Sequence, residues 1–321
     1  MKRRGFIACA AAALAAPARG QGAWPSQTIK FIVPFTPGGS TDILARVIGQ
    51  KLEPVLKQSI VIDNRPGAGG SLASGAAAKA EPDGHTIMMG HIGTLAFNPS
   101  LYKELPYDPL TSFAPVALVA SVPNLLAAHP SVPAANIGEL MAYAKANPGK
   151  IHYGSGGNGS AAHVATAYFA HAAGISLTHV PYRGTSPAVN DLAGGHIQMM
   201  LTGGPALLPL INGGKLRGLA VSSKARASFA PDLPAIGEQA VPGFEAVQWY
   251  GVVAPARVPE AVIRRLNAEI NRILDSAEVA ENLRAEGALA IKTTPDAFGE
   301  HIKSEIALWG GVIRAAGITA G

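Results

Sequence analysis

The feature that most constrains the fold is a repeated unit in which a β-rich stretch leads through a glycine-rich loop into a helical stretch. Residues 28–35 alternate in character and are rich in β-formers, and the loop TPGGST and a helical segment over 42–56 follow them. Further strands are predicted over 59–65 and 85–90. Strands and helices that alternate at this spacing indicate an α/β fold with a parallel, doubly wound sheet.

The same order of elements begins again near residue 123, which predicts a second lobe of the same class. A strand, a helix over 137–146, a strand with a second glycine loop and a helix over 160–173 follow one another. Near the C-terminus, Thr294 and Pro295 mark a helix start, because threonine is a good N-cap and proline suits the first helical position. We expect the C-terminal helices to pack on the first lobe.

This order of elements also predicts where the lobes begin and end. The first lobe is predicted to comprise residues 23–122 and 250–321, and the second lobe residues 123–249. The crossings near 116–122 and 244–250 would then serve as the hinge. Each lobe is expected to hold a mostly parallel sheet flanked by helices.

The N-terminal segment is typical of an export signal and not of a folded element. Three basic residues at positions 2–4 precede an apolar stretch over 6–16 that is too short to span a bilayer, and small residues follow. The single cysteine of the chain, Cys9, lies in this segment, so the mature protein has no disulfide, no thiolate nucleophile and no cysteine-ligated zinc. We therefore predict a cleaved signal peptide over 1–20 and a periplasmic protein.

Removal of the signal changes the charge balance. The formal net charge falls from +5 to +1 because Lys2, Arg3, Arg4 and Arg19 are lost. The mature chain has no dense run of lysine or arginine, so nucleic-acid binding is not expected. Charged residues make up only 15% of the chain, against about 25% in an average globular protein, which indicates a well-formed core.

A glycine motif in the second lobe raises the possibility of a nucleotide cofactor. Gly154, Gly156 and Gly159 spell G-x-G-x-x-G after a strand-like stretch and before a helix. The dinucleotide-binding fingerprint needs an acidic residue about 20 positions on, and residues 140–190 contain none. Arg183 could instead accept an NADP 2′-phosphate, which leaves an NADP- or other anion-dependent periplasmic enzyme as the alternative function.

Glycine-rich loops of this kind can also hold a simple anion. Loops over 37–41, 154–160 and 184–186 each lie between a strand and a helix. Such a loop exposes backbone N–H groups at a helix N-terminus, where the helix dipole favours negative charge. Three of them in two lobes predict a crevice lined with anion-binding helix ends.

Catalytic and metal-binding motifs find no support in the sequence. It contains no G-x-S-x-G, no H-E-x-x-H and no phosphate-binding G-x-x-x-x-G-K-[ST] motif, and the histidines show no metal-ligand spacing. Asp42 and Arg46 are four residues apart on a predicted helix, as expected of an intrahelical ion pair. We expect no catalytic residue, no bound metal and no cofactor.

These segments resemble the substrate-binding proteins of tripartite tricarboxylate transporters, often called the Bug family. The resemblance begins with PFTPGGSTDILAR and continues in the same order through nearly all of the mature chain. It is carried by residues 34–46, 63–88, 97–120, 180–197, 231–245 and 249–259. It implies a two-lobed periplasmic-binding-protein fold of the Venus-flytrap type that closes on a small carboxylate. This would be a di- or tricarboxylate, an acidic amino acid or an aromatic acid.

The resemblance also implies which residues hold the ligand and which proteins interact with the receptor. In the family, ligand carboxylates are held by backbone amides and waters of the first loop and by the serine- and glycine-rich loop of the second lobe. Three threonines are added because each follows a strand, and Asp42 is expected to organise the first loop. The candidate ligand-binding residues are Pro37, Gly38, Gly39, Ser40, Thr41, Asp42, Thr94, Ser155, Gly156, Asn158, Ser160, Thr185 and Thr202. The implied partners are integral-membrane transporter subunits or a sensor protein, and the protein is expected to be a monomer.

Overall fold

The computed structural model describes residues 24–285 and 287–319. The predicted signal peptide, residues 1–20, lies outside the described residues. The strands are β1 (Ile29–Val33), β2 (Ile60–Asn64), β3 (Thr86–His91), β4 (Phe113–Ala128), β5 (His152–Ser155), β6 (Thr178–Pro181), β7 (Met199–Gly203), β8 (Arg217–Val221), β9 (Val247–Pro255) and β10 (Leu289–Ala290). The α-helices are α1 (Ser40–Leu56), α2 (Ser71–Ala78), α3 (Asn98–Leu101), α4 (Ile137–Ala146), α5 (Ala161–Ala173), α6 (Thr185–Ala193), α7 (Gly204–Asn212), α8 (Ile236–Gln239), α9 (Glu260–Leu274), α10 (Ala277–Ala285) and α11 (Pro295–Ala315).

The first sheet has the order β2-β1-β3-β9-β4, with β10 on the outer side of β4. Strands β2, β1 and β3 are parallel to one another, and β9 runs antiparallel to both β3 and β4. Both faces of this sheet are buried. On β1, Phe31 belongs to a core with α1 and α9, whereas its neighbour Ile32 belongs to a core with α2 and α11. Burial on both faces explains why these strands read as continuous apolar runs.

The second sheet has the order β6-β5-β7-β4-β8. Here β6, β5 and β7 are parallel, and β4 is antiparallel to β7 and β8. Helices again cover both faces, with α6 and α7 on one side and α4 and α5 on the other. We refer to the halves built on the two sheets as the first and second lobes. Each lobe therefore has a mostly parallel sheet, as the alternation of strands and helices predicted.

Strands β4 and β9 connect the two sheets. The first part of β4, Phe113 to Pro123, pairs with β9, and the last part, Asn124 to Ala128, pairs with β7 and β8. The sequence predicted a strand only from about residue 123, and the observed strand is longer because one continuous segment serves both sheets. The predicted lobe boundaries and hinge segments stay a prediction.

The C-terminal helices pack mainly on the first lobe, as expected. Leu266 and Ile270 of α9 are fully buried in the same core as Ile48 and Leu52 of α1. Helix α11 begins as predicted, because the Thr294 side chain accepts a hydrogen bond from the Ala297 N–H at 3.2 Å. Across the described ranges, none of the helices combines the length and the apolar character that a membrane crossing requires.

Candidate ligand-binding cleft

The N-termini of three helices meet at a cavity between the two lobes. Helix α1 of the first lobe contributes Gly39, Ser40 and Thr41, and helix α6 of the second lobe contributes Thr185. Helix α5 of the second lobe contributes its N-cap Ser160 and the next two residues, Ala161 and Ala162. The first N–H groups of a helix have no intrahelical acceptor, and the helix dipole makes this end electropositive. Neither α1 nor α6 has a side-chain cap, so a bound anion could accept these hydrogen bonds.

The strands supply the floor of the cavity. Thr202 lies near the end of β7, His91 ends β3, and Gln248 and Tyr250 project from the same face of β9. Phe35, just after β1, completes the lining. Within the described part of the chain, the cavity lining includes no lysine, arginine, aspartate or glutamate. An anion bound at this site would therefore interact with backbone dipoles and neutral donors, and the lining provides no cationic side chain to compensate its charge.

The first-lobe loop, residues 37–42, is held together by Asp42. Its carboxylate accepts hydrogen bonds from the Gly38 N–H at 2.9 Å, from Arg46 Nε at 2.9 Å and from Asn64 Nδ2 at 3.0 Å. Burial alone would raise the pKa of Asp42, but the hydrogen bonds from Arg46, Gly38 and Asn64 outweigh it and lower the pKa below its ordinary value. The predicted pair with Arg46 is confirmed, and Asp42 organises the loop from behind the cavity.

The second-lobe loop, residues 155–160, is held by neutral groups. The Ser155 hydroxyl accepts the Gly157 N–H at 3.1 Å and shares a 2.7 Å hydrogen bond with His179 Nε2. The His179 ring stacks on His163, with centroids 4.1 Å apart. His163 in turn accepts the Gly159 N–H through Nδ1 at 3.2 Å. Burial lowers the pKa of His163 to about 4, and burial together with the neighbouring His163 lowers the pKa of His179 to about 3, so both rings are neutral near pH 7.

The lobes touch directly across the cleft. Ser186 Oγ of the second lobe donates to the Pro37 carbonyl of the first lobe at 2.9 Å. The Tyr102 hydroxyl donates to the Asn158 carbonyl at 2.8 Å. The space left between the lobes is about 20 Å³, which is room for about one water molecule. The structure therefore shows the closed arrangement of the two lobes.

The candidate residues fall into two groups. Those that line the cavity are Gly39, Ser40, Thr41, Ser160, Thr185 and Thr202. The others, which are Pro37, Gly38, Asp42, Thr94, Ser155, Gly156 and Asn158, lie outside this lining.

The contacts of the residues outside the lining explain why their side chains do not face the cavity. The side-chain oxygens of Asp42 and Ser155 accept hydrogen bonds from N–H groups of their own loops. Thr94 is fully buried, and its hydroxyl bonds to the backbone of His91. Pro37 and Asn158 offer their carbonyls to the opposite lobe. These residues shape the cleft from behind, and any direct contact with a ligand stays a prediction.

The structure adds six lining residues that sequence reasoning missed: Phe35, His91, Ala161, Ala162, Gln248 and Tyr250. His91 accepts the Gly93 N–H through Nδ1 at 2.7 Å, which places the imidazole proton on Nε2 and makes this nitrogen a donor. The ring stacks on Phe35 at 4.6 Å, and burial lowers its pKa to about 4. The signal that could have found it is a histidine that ends an otherwise apolar strand.

Gln248 and Tyr250 belong to a buried polar chain at the junction of the lobes. The Tyr250 hydroxyl donates to Gln248 Oε1 at 2.6 Å, and Gln248 Nε2 donates to Asn124 Oδ1. Asn124 Nδ2 donates to the Ala246 carbonyl. Each side-chain amide is thus fixed at both ends, which orients the floor of the cavity.

The glycine motif serves packing in this structure. A Cβ on Gly154 would lie 2.4 Å from Ile197 Cδ1, and Gly159 has φ +78° beside Tyr102 of the other lobe. Arg183 is exposed and does not line the cavity. Among the described residues, no group of three or more histidine, cysteine, aspartate or glutamate side chains is arranged to hold a metal. The glycines of the motif thus meet packing and backbone requirements, and none of the three lines the cavity.

Comparison with known proteins shows the family of this chain. A model of the tripartite tricarboxylate transporter family receptor matches residues 44–318. The chain is 38% identical to protein BugT of Bordetella pertussis over 312 residues, which cover 97% of this chain and 95% of BugT. The solved structure of R. palustris Rpa4515 with adipate has a TM-score of 0.90 and 38% identity, covering 92% of this chain and 99% of that one. MatC from Rhodopseudomonas palustris with bound malate has a TM-score of 0.86 and 33% identity, covering 90% and 99%.

These similarities confirm the predicted two-lobed α/β fold of the periplasmic binding proteins. They also confirm the resemblance to the Bug proteins on which the functional expectation rests. The chain therefore belongs to the tripartite tricarboxylate transporter family of solute-binding receptors.

Proposed function

We propose that this protein is a periplasmic receptor that captures a small dicarboxylate between its lobes and delivers it to the membrane subunits of a tripartite tricarboxylate-type transporter. The observation that carries the proposal is the meeting of three helix N-termini at one cleft lined by neutral groups. The adipate and malate bound by Rpa4515 and MatC, which are both dicarboxylates, support this ligand class.

The positions of the helix ends explain why two carboxylates suit the cleft. Helix α1 belongs to the first lobe, and α5 and α6 belong to the second. One carboxylate would accept N–H groups of α1 together with the Ser40 and Thr41 hydroxyls. The other would accept N–H groups of α5 and α6 together with the Thr185 hydroxyl. A dianion of this kind contacts both lobes at once, so it stabilises the closed arrangement over the open one.

Backbone N–H groups recognise the carboxylates of the ligand. The part of the ligand between its carboxylates would contact the floor of the cleft. His91 Nε2 and Thr202 are neutral groups that could contact a hydroxyl or methylene segment there. The direct contacts across the cleft must open before a ligand enters, because the closed cavity has room for only about one water. Binding is therefore expected to include a cycle of opening and closing.

The test is calorimetric titration of the mature protein with malate, adipate, citrate, alanine and NADPH. We expect a dicarboxylate to bind with a stoichiometry of one and to reduce the radius of gyration of the ligand-free protein in solution scattering. NADPH serves as the comparison for the alternative enzyme function. Binding of NADPH, with no binding of any carboxylate, would contradict the receptor proposal.

The delivery step and the location need separate tests. Fractionation of cells that express the full chain should release the protein with the periplasm, and its N-terminus should lie between Arg19 and Trp24. Deletion of the cognate membrane subunits should abolish uptake of the bound dicarboxylate without changing its affinity for the purified receptor. Uptake that persists in the deletion strain would support the sensory role instead.

A further inference from the structure

A second cavity lies on the opposite side of strand β9 from the ligand-binding cleft. Successive side chains of a strand point to opposite faces. Gln248 and Tyr250 line the cleft, whereas Val247 and Trp249 line this second cavity, which helix α11 closes from outside. Its volume is about 300 Å³, which is enough for a small organic molecule. We refer to it as the rear cavity.

The walls of the rear cavity are aromatic and carry a fixed carboxylate. Glu305 Oε2 accepts hydrogen bonds from the indole nitrogens of Trp249 at 2.8 Å and Trp309 at 3.1 Å. Both indoles are about 95% buried, so this arrangement is part of the folded structure and not a chance surface contact. Among the described residues, no donor to the other carboxylate oxygen, Oε1, is seen. Glu305 thus retains one oxygen for a ligand.

A histidine in the same wall has unused hydrogen-bonding capacity. His301 packs against Trp249 with ring centroids 4.9 Å apart. Its Nε2 atom is buried and has no hydrogen-bond partner within the described chain. Burial lowers the pKa of His301 while the charge of Glu305 opposes the shift, and the net direction is downward, so the ring is neutral near pH 7. With the proton on Nδ1, the Nε2 lone pair accepts a hydrogen bond.

The charges around the rear cavity favour a cation. None of the described lysines or arginines lines it, and Glu245 adds a second carboxylate at its mouth. Glu245 is exposed and lies 3.9 Å from Lys224, so the negative charge available to a ligand inside the cavity is that of Glu305. Tryptophan rings also attract cations through the negative potential of their faces.

We propose that the rear cavity is a binding site for a small organic ammonium ion. Its N–H groups would donate to Glu305 Oε1 and to His301 Nε2, and its alkyl part would lie against Trp249, Trp309 and Val247. A primary ammonium has three donors and an apolar tail, which matches a carboxylate, a neutral imidazole and two indoles. The site shares only strand β9 with the dicarboxylate cleft, so its existence does not depend on the proposed function.

The probe is n-butylammonium chloride, and 1-butanol is its uncharged counterpart of similar size. We expect saturable calorimetric binding of n-butylammonium at constant chloride concentration and a change in indole fluorescence. 1-Butanol should bind at least about tenfold more weakly, because it lacks the charge that Glu305 recognises. Equal binding of both compounds would show a merely apolar cavity and overturn the proposal, as would no binding of n-butylammonium.

Variants locate the binding. Glu305→Gln should weaken n-butylammonium binding at least about tenfold, whereas Glu300→Gln on the same helix makes the same chemical change outside the cavity and should leave this binding unchanged.

A second pair of variants tests the cavity mouth. Leu308 is 58% exposed there, so Leu308→Lys should fold normally and repel the ammonium, with Leu308→Gln as its neutral control. Unchanged n-butylammonium binding in both Glu305→Gln and Leu308→Lys would overturn the assignment. Unchanged affinity of all four variants for the dicarboxylate keeps this result separate from the proposed function.

Discussion

The two glycine loops that face each other across the cleft look alike in sequence but are supported by opposite chemistry. The first-lobe loop, residues 37–42, depends on the buried, ionised Asp42 and its contacts with Gly38, Arg46 and Asn64. The second-lobe loop, residues 155–160, depends on Ser155 and a stack of neutral imidazoles. In both loops these polar side chains lie behind the cavity wall, which leaves the backbone to face the ligand.

This difference indicates how a neutral anion site tolerates a carboxylate nearby. Asp42 lies close to the α1 N-terminus but directs its oxygens to the loop and to Arg46, so its charge is already compensated. A charged group that faced the cleft would repel a dicarboxylate or bind it without regard to orientation. The second lobe avoids the problem by keeping its histidines neutral.

The largest effect is expected where the two lobes meet. Gly184 has φ +141°, which favours glycine, and a Cβ there would lie 2.1 Å from Oγ1 of Thr36, which directly precedes the first-lobe loop. Gly184→Val should therefore prevent closure and lower dicarboxylate affinity at least about 100-fold. Titration calorimetry measures the affinity, and solution scattering should show no compaction when the dicarboxylate is added.

Gly214→Val is the matched control, because Gly214 also has a positive φ (+69°) but no atom lies within 4 Å of its added Cβ. It should lose some stability through strain and keep its affinity. Wild-type affinity in Gly184→Val would show that the lobes need not close, and that each lobe binds the anion independently.

The second prediction uses acid to separate the two loops. The pKa of His163 is about 4 in the folded protein and 6.5 in the unfolded chain, so the unfolded state binds more protons between these pH values. The free energy of unfolding should therefore fall by roughly 2–3 kcal/mol on this account as the pH falls from about 7 to about 4. The pKa of Asp42 lies below its ordinary value of 3.8, so its contribution is lost only at still lower pH.

Urea unfolding at several pH values measures this difference. His163→Asn should flatten the pH dependence between about 6.5 and 4, whereas the exposed His152→Asn in the same lobe should not. His91 and His179 also have lowered pKa values, so part of the dependence should remain in His163→Asn. Equal stability of the wild type at pH 7 and near pH 4.5 would contradict the claim that neutral histidines support the second-lobe loop.

Local sequence patterns predicted the individual helices and strands of this fold better than they predicted which strands pair with one another. The helix Ile137–Ala146 begins after an Asn136 cap and ends where the sequence placed it, and α5 begins one residue after its predicted start, with Ser160 as its N-cap. These features depend on a few neighbouring residues. The shared strand β4 could not be predicted in the same way, because its pairing with β7, β8 and β9 is decided by segments 71 to 142 residues away in the chain.

The site shows the same limit. The loops that carry Gly39, Ser160 and Thr185 were found because helix starts have a local signature. His91, Gln248 and Tyr250 lie in apolar strands of separate segments, and only the register between β3 and β9 brings His91 opposite Tyr250. Sequence reasoning anticipated that Asp42 would organise its loop and pair with Arg46, but it could not show that the Ser155 hydroxyl bonds to Gly157 and His179 behind the cavity.

The third prediction concerns the support of the first loop alone. Asp42→Asn removes the ion pair with Arg46, which is 54% exposed and can be hydrated, so no buried charge is left unpaired. The free energy of unfolding should fall by about 1 kcal/mol, and dicarboxylate affinity should change only a few-fold. Urea unfolding and calorimetry measure the two quantities. An affinity loss of about 2 kcal/mol or more with unchanged stability would instead indicate a ligand whose ammonium group contacts Asp42.

The smallest effect is expected from the hydrogen bond that joins the first-lobe loop to helix α6 of the second lobe. Ser186 Oγ donates to the Pro37 carbonyl at 2.9 Å, and this bond exists only when the lobes are closed. Ser186→Ala should therefore leave the stability of each lobe unchanged and weaken the closed state by about 0.5–1 kcal/mol, which lowers affinity by roughly two- to fivefold. Most of the loss should appear as faster release of the dicarboxylate, since the bond forms after the ligand has entered. Stopped-flow measurements give the two rates, and Ser304→Ala, which removes an exposed hydroxyl on α11, is the control. A slower association rate with unchanged release would mean that Ser186 contacts the incoming ligand in the open protein and does not act by joining the lobes.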